Sequence, residues 1–216
     1  MDFLNTRISL HRPITSYSKV RMAIGNVVRG RSFQTRKLPA AEYLNAGCGP
    51  NHLQGFINLD YLWTPEVDMC WDVTTRLPFK DSSFAGVYTE HCLEHLPRES
   101  SAAVLREFRR VVRPGGTLRV VVPDAELYMT LYVKAKQGEV VRFPYAGVAC
   151  SPIEHVNRIF RDHGHLYAYD AEYMCAVLQS AGFENASRSA FMKSRDPQLR
   201  VDTQSRECES LYVEGW

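Results

Sequence analysis

The chain has 216 residues, of which 45% are hydrophobic and 23% charged, with a formal net charge of +2. That is the composition of a soluble globular protein, long enough for one α/β domain, and it gives no broad basic face for nucleic acid. No run approaches the ~18 apolar residues that span a bilayer, and none has the charged start and apolar centre of a secretory signal. The cysteines Cys48, Cys70, Cys92, Cys150, Cys175 and Cys208 show no CxxC spacing. They read as buried free thiols of a reducing compartment, which excludes a disulfide framework and a zinc site and makes the cytoplasm the expected location.

Between Phe3 and Ala41 there is no Asp or Glu, while Arg7, Arg12, Lys19, Arg21, Arg29, Arg31, Arg36 and Lys37 are all present. Three readings fit residues 1–41: a solvated extension or covering helix, an arm for an anionic membrane surface or substrate, and, least well, a transit peptide. From Glu42 onward strand and helix signals alternate. Residues 42–45 form a short strand that runs into a Gly-rich loop, and residues 56–60 a second strand that ends in an acid. Residues 67–73 and 84–90 are the third and fourth strands. Apolar spacing at Val104, Leu105, Phe108, Val111 and Val112 predicts a helix over 99–112. Arg113-Pro114-Gly115-Gly116 should stop that helix and turn the chain into a strand at 117–123, buried on both faces.

A helix capped by Asp124 follows to Gln137. Residues 138–166 have no clear periodicity, carry three histidines and read as an insertion over the site. Asp170 caps a helix that ends before Gly182, and two last strands lie near 184–189 and 210–216. The alternation predicts one α/β domain over 42–216, a doubly wound sheet with helices on both faces.

In such a sheet ligands bind beyond the carboxyl ends of the strands. The first strand delivers Gly47 and Gly49 there, where the backbone can turn tightly and approach a ligand closely. That pair alone is weak evidence. Asp60 ends the second strand and can accept both hydroxyls of a ribose, and Asp72 can bond an adenine amino group. A nicotinamide fingerprint would need a third glycine where His52 stands.

Residues 44–51 (LNAGCGPN), 55–60 (GFINLD), 72–79 (DVTTRLPF), 81–84 (DSSF), 91–96 (HCLEHL) and 105–116 (LREFRRVVRPGG) resemble the class I S-adenosylmethionine-dependent methyltransferases of the type 11 branch. The resemblance covers about residues 42–124. It implies a Rossmann-like, seven-stranded, mostly parallel sheet with an antiparallel last strand, and S-adenosylmethionine as cofactor. It assigns Gly47 and Gly49 to the methionine side, Asp60 to the ribose and Asp72 with Val73 to the adenine. Asn45, Cys48, Tyr61 and Glu90 complete the expected cofactor-binding set. Two residues depart from the family pattern. Asn45 stands where an acid is usual, and Asn51 where a third glycine would be. Asn45 can still accept a hydrogen bond from the cofactor's amino group, without charge.

Methyl transfer to a neutral hydroxyl gains from a general base. His165 is the first candidate and His163 the second, with Asp162 as orienter. His91, just past the fourth strand, is the third. His91-x-x-Glu94-His95 lacks the HExxH order, reads as cofactor pocket and core, and no metal is expected. Asp124 is a helix cap or an acceptor contact. The Asn/Asp-Pro-Pro-aromatic run of base and amide methylating relatives is absent after the fourth strand, where Thr89-Glu90-His91-Cys92 stands instead. Residues 163–170, 181–183, 194–199, Asp202, Arg206 and 209–214 are similar to methyltransferases associated with glycan assembly. This implies O-methylation of a sugar, with Tyr128, Tyr132, Phe143, Tyr145, Tyr167 and Tyr169 available to stack on it. The alternative acceptor is a lipid or secondary metabolite, and the alternative role a cofactor-binding regulator. No nucleic acid partner is expected, and the basic arm is the one segment suited to a membrane face.

Overall fold

The computed structural model describes residues 16–144 and 151–216. Its strands are β1 (Tyr43–Ala46), β2 (Phe56–Asp60), β3 (Met69–Cys70), β4 (Phe84–Glu90), β5 (Val112–Pro123), β6 (Ala186–Arg188) and β7 (Ser210–Gly215). Its helices are α1 (Ser16–Val28), α2 (Arg98–Val111), α3 (Ala125–Lys136), α4 (Pro152–Arg161) and α5 (Ala171–Ser180). The strands form one seven-stranded sheet in the order β3-β2-β1-β4-β5-β7-β6. β7 runs antiparallel to both its neighbours, and the other contacts are parallel. The strand order is that of the doubly wound α/β fold expected. Strand order reverses between β1 and β4, so a cleft opens beyond their carboxyl ends.

The helices expected on both faces cover one: α2 and α5 pack on the same side of the sheet, while Phe56, Tyr88, Val121 and Tyr212 on the other side are covered by Phe191, Leu199 and Val201 from the segment between β6 and β7. Leu44, Val87, Leu118, Val120 and Val213 are fully buried, and α2 lays Val104, Leu105, Phe108 and Val111 onto them. Asp124 caps α3 by accepting from Leu127 N at 3.1 Å, and Asp170 caps α5 by accepting from Tyr173 N at 2.8 Å. Arg188 Nη2 also pairs with Asp124 at 2.7 Å, so the cap role is the one that Asp124 fills.

Three further expectations need correction. The third strand is Met69–Cys70 alone, because Asp72 begins a side-chain-stabilised turn, its Oδ1 accepting from Thr74 N at 2.9 Å. Residues 113–116 do not turn the chain into a separate strand. α2 passes directly into β5, and these residues bulge within it: Phe84 pairs with Val112 while Gly86 pairs with Thr117. The insertion contains α4, whose Ile159 packs with Ala125, Tyr128 and Phe143 as a small second core. Tyr145 and Cys150 lie outside the described residues.

Of the basic N-terminal stretch, residues 1–15 lie outside the described residues, and residues 29–34 dock on the β2–β3 edge. The Arg29 guanidinium covers the Tyr61 ring at 3.6 Å from its centroid and donates from Nε to Tyr61 O at 3.0 Å. Farther along, Gln34 Oε1 accepts from Cys70 N at 2.8 Å and its Nε2 donates to Cys70 O at 3.2 Å. Among the described residues no helix is long and apolar enough to cross a membrane.

Candidate active site

β1 ends in a loop held from three directions. Gly47 N and Cys48 N both donate to Leu59 O, at 2.8 and 3.0 Å. Gly47 has φ +71°, and a Cβ there would stand 2.4 Å from Cys92 Sγ. Only glycine allows that approach. Gly49, at φ +51°, has no heavy atom within 4 Å of its Cβ position, so the loop borders open space on that side.

Asp60 staples the loop to β2. Its Oδ2 accepts from Gly49 N at 2.8 Å and its Oδ1 from Leu62 N at 2.8 Å. Burial raises its pKa, and the two N–H donors pull it back. Asn45 is buried, and its Nδ2 donates to Asn51 O at 2.7 Å and to Asn58 Oδ1 at 3.0 Å. An aspartate could make neither bond. This explains the departure at Asn45 and leaves its Oδ1 for a ligand. Asn51 Nδ2 in turn donates to Glu90 Oε2 at 2.8 Å. Thr203 adds its N–H to Glu90 Oε1 at 3.1 Å and its hydroxyl to Oε2 at 2.5 Å. Glu90 thus ties the loop, β4 and the C-terminal segment together. Asp72 keeps Oδ2 open for an incoming donor beside buried Val73. Burial pushes the Cys48 thiol up, so it sits in the loop as a neutral thiol.

These groups fit S-adenosylmethionine: a close-approach glycine turn with open space beside it, a carboxylate at the end of β2 and an open carboxylate oxygen after β3.

On the other side of Cys92 lies a cluster of titratable groups. His91 has φ +48° and donates from its backbone N–H to Val121 O at 2.9 Å. Its Nε2 is 3.0 Å from Ser210 Oγ, and burial pushes its pKa down to about 2. Glu94 is 1% exposed, and neither of its carboxylate oxygens has a hydrogen-bond partner. Burial pushes its pKa up to about 8. Around its Oε1 stand His91 Nδ1 at 3.4 Å, His95 Nε2 at 3.9 Å and His165 Nε2 at 4.0 Å. Leu166 N and Tyr167 N donate to the Glu94 carbonyl at 2.7 and 3.2 Å, which brings the far segment alongside. His165 Nδ1 lies 2.9 Å from Ile159 O, so that nitrogen carries the proton and Nε2 the lone pair. Burial lowers the pKa of His165, and that of His95 to about 4, so both rings are neutral.

His95 and His165 open onto a cavity of about 600 Å³ walled also by Tyr128, Arg158, Arg206 and Glu209. His163 lies exposed on its rim, and Asp162 reaches Arg158 Nε at 3.8 Å rather than His163. Gly47, Gly49, Asp60 and Asp72 do not line the cavity. The 91–95 turn separates them from it, with Cys92 against Gly47 on one side and His95 facing the cavity on the other. Of the aromatic residues singled out, Tyr128 reaches the cavity, while Phe143 stacks on His155 at 4.2 Å, and Tyr167 and Tyr169 pack against Tyr173. The sequence shows Glu94 only as part of the 91–95 pattern, and Arg206 and Glu209 only within the glycan resemblance, with no site role for any of the three. A lone acid between Leu93 and Leu96 was the available signal for Glu94.

Residues 44–120 match the sequence model of a family described as Methyltransferase domain. Over these residues, about a third of the chain, it is similar to that domain. Its matched span runs from β1 into β5 and holds the Gly47–Gly49 loop, Asp60, Asp72 and the 91–95 turn. Among solved structures the chain is similar to a SAM-dependent methyltransferase from Archaeoglobus fulgidus, at 13% identity and TM-score 0.50, over 90% of this chain and 93% of the other. It is also similar to a SAM-dependent methyltransferase from Thermotoga maritima, at 15% identity and TM-score 0.49, over 92% and 94%. A third is the Burkholderia thailandensis 1,6-didemethyltoxoflavin-N1-methyltransferase with bound S-adenosylhomocysteine, at 15% identity and TM-score 0.47, over 89% and 76%. At these identities the likeness is one of fold.

Proposed function

We propose that the methyltransferase domain methylates a hydroxyl of a sugar, at the end of a polysaccharide or a lipid-linked glycan. The observation that carries this reading is the cavity of about 600 Å³ on the far side of the 91–95 turn from Gly47. Arg158, Arg206, Glu209 and two neutral histidines supply hydrogen-bonding groups for a polyhydroxylated acceptor, set among Pro123, Tyr128, Pro144 and Ile159. Tyr128 offers a ring on which a sugar face can lie.

S-adenosylmethionine supplies a methyl group on a positively charged sulfur. The chain's part is to hold and orient. Asp60 accepts the ribose hydroxyls with its remaining lone pairs, and Asp72 Oδ2 accepts from the adenine amino group. Tyr61, under Arg29, borders the ribose end, and Val73 packs on the adenine. Asn45 Oδ1, Gly47, Cys48 and Gly49 receive the methionine end. Glu90 keeps the loop in place through Asn51. An acceptor hydroxyl must shed its proton as the methyl arrives, so it belongs beside the Glu94–His95–His165 group. His165 Nε2 offers the lone pair there, His163 contacts the acceptor from the rim, and His91 holds the turn through Ser210. We read residues 1–41 as a basic extension whose part beyond the docked Arg29–Lys37 stretch suits an anionic membrane face, with the domain in the cytoplasm.

The test is transfer of a labelled methyl group to glycan acceptors and, in parallel, to hydrophobic small molecules. With the true acceptor, His165→Ala is expected to lower turnover at least about 100-fold while S-adenosylhomocysteine affinity stays within a few-fold. Near-wild-type turnover in that variant, or transfer to hydrophobic acceptors alone, overturns the reading.

A further inference from the structure

Glu94 is an unusual residue to find without a partner. An ionised carboxylate deprived of water is costly unless a charge or hydrogen bonds compensate it. Both Glu94 oxygens are buried without a hydrogen-bond donor. No Lys or Arg forms an ion pair with it among the described residues, and imidazole nitrogens stand closest to it. Hydrogen bonding to Ile159 O gives His165 its proton at Nδ1 and turns a bare Nε2 lone pair toward Glu94. His95 Nε2 faces the same oxygen, and one ligand atom from each of Glu94, His95 and His165 lies within 4.8 Å of the others. Three groups able to ligate a metal thus converge at one point, with the His165 Nε2 lone pair aimed at Glu94.

We propose that Glu94, His95 and His165 bind one first-row divalent transition metal ion. Two imidazoles and a carboxylate are borderline donors, which favour zinc, cobalt, iron or manganese over magnesium and calcium. Ligands on such an ion at 2.0–2.2 Å in tetrahedral array stand about 3.4 Å apart. The two Glu94–histidine separations of 3.9 and 4.0 Å therefore close by about 0.5 Å on binding. The His95–His165 separation, within 4.8 Å, closes by up to about 1.4 Å. The Ile159 carbonyl is the outer partner that a ligating histidine ordinarily has: it fixes the tautomer and the ring. Because His95 and His165 line the cavity, a coordination position left open on the ion faces the acceptor. A hydroxyl bound there has its pKa lowered by the ion. That last role rests on the hydroxyl acceptor proposed above and puts the ion in place of His165 as the group that lowers the barrier to proton loss, since the Nε2 lone pair is then on the metal. The metal site itself rests on the three side chains alone.

The experiment is a titration of chelator-treated, tag-free full chain with Co²⁺, followed by its visible absorption, and with Zn²⁺ by calorimetry. One equivalent is expected to bind. His95→Ala, His165→Ala and Glu94→Gln should each weaken binding by at least about 100-fold. S-adenosylhomocysteine affinity, read on every variant, reports that the fold is intact. Wild-type Co²⁺ affinity no higher than that of the His95→Ala/His165→Ala double variant overturns the proposal. Wild type that binds S-adenosylhomocysteine but no metal overturns the metal site and leaves the methyltransferase reading standing. Metal bound with no S-adenosylhomocysteine affinity supports the site and counts against that reading.

Discussion

Arg119 and Asp202 meet in two parallel charge-assisted bonds, Nε to Oδ1 at 2.7 Å and Nη2 to Oδ2 at 2.6 Å, with both side chains wholly buried. The remaining guanidinium donors reach Glu214 Oε1 at 3.0 Å, Lys193 O at 2.9 Å and Ala190 O at 2.9 Å. Asp202 also accepts from Met192 N at 2.6 Å. The residue after Asp202 is Thr203, which holds Glu90 and, through it, Asn51. A central strand is thereby coupled through the C-terminal segment to the cofactor loop.

Arg119→Met is expected to cost about 3–5 kcal/mol, because it leaves Asp202 and Glu214 as uncompensated buried charges. Urea denaturation measures this. Adding Asp202→Leu should give a loss well below the sum of the two single changes, since the residues share one network. Additive losses would show that the pair is not coupled.

Gly47 and Gly49 separate two effects of a glycine. Both have positive φ, so alanine at either is expected to cost about 1 kcal/mol or more in strain. At Gly47 the new methyl also collides with Cys92 Sγ, whereas at Gly49 it meets nothing within 4 Å. Calorimetry with S-adenosylhomocysteine should find affinity abolished or reduced at least about 100-fold in Gly47→Ala and reduced far less in Gly49→Ala.

Asn45→Asp restores the acid usual in the family, yet it is expected to harm this protein. The change removes both Nδ2 bonds and sets an acid beside Asn51 O and Asn58 Oδ1, for a loss of about 1–3 kcal/mol. A thermal melt that shows no loss would refute this account of Asn45.

Asp60→Ala removes the acceptor of both Gly49 N and Leu62 N. The expected result is at least a tenfold loss of S-adenosylhomocysteine affinity, about 1.4 kcal/mol, with the fold retained by circular dichroism.

The cofactor side was legible because its signals are local. Gly47 and Gly49 mark a turn by their own chemistry, Asp60 closes an apolar run, and the short loop between β1 and β2 sets the spacing between them. The strands at 84–90 and 117–123 announced themselves by continuous burial. The acceptor side depends on contacts between distant segments. Glu94 becomes an orphaned acid only when Leu166 and Tyr167 bond its carbonyl and His165 arrives with them. Nothing in residues 91–96 encodes that meeting. α4 was hidden for a related reason: its buried residues are His155 and Ile159, and the histidine blurs the apolar stripe. The 113–116 bulge was misread because proline and glycine mark irregular backbone without saying whether it lies between elements or inside one.

Gln34 puts its primary amide where a neighbouring strand would place a peptide group, with its oxygen on Cys70 N and its nitrogen on Cys70 O. β3 is the outermost strand on that side and only two residues long. An unpaired edge of this kind invites another chain to add to the sheet. One side chain from the N-terminal segment ends the hydrogen-bond ladder within the molecule, so the segment that docks beside Tyr61 also terminates the sheet and protects that rim from self-association.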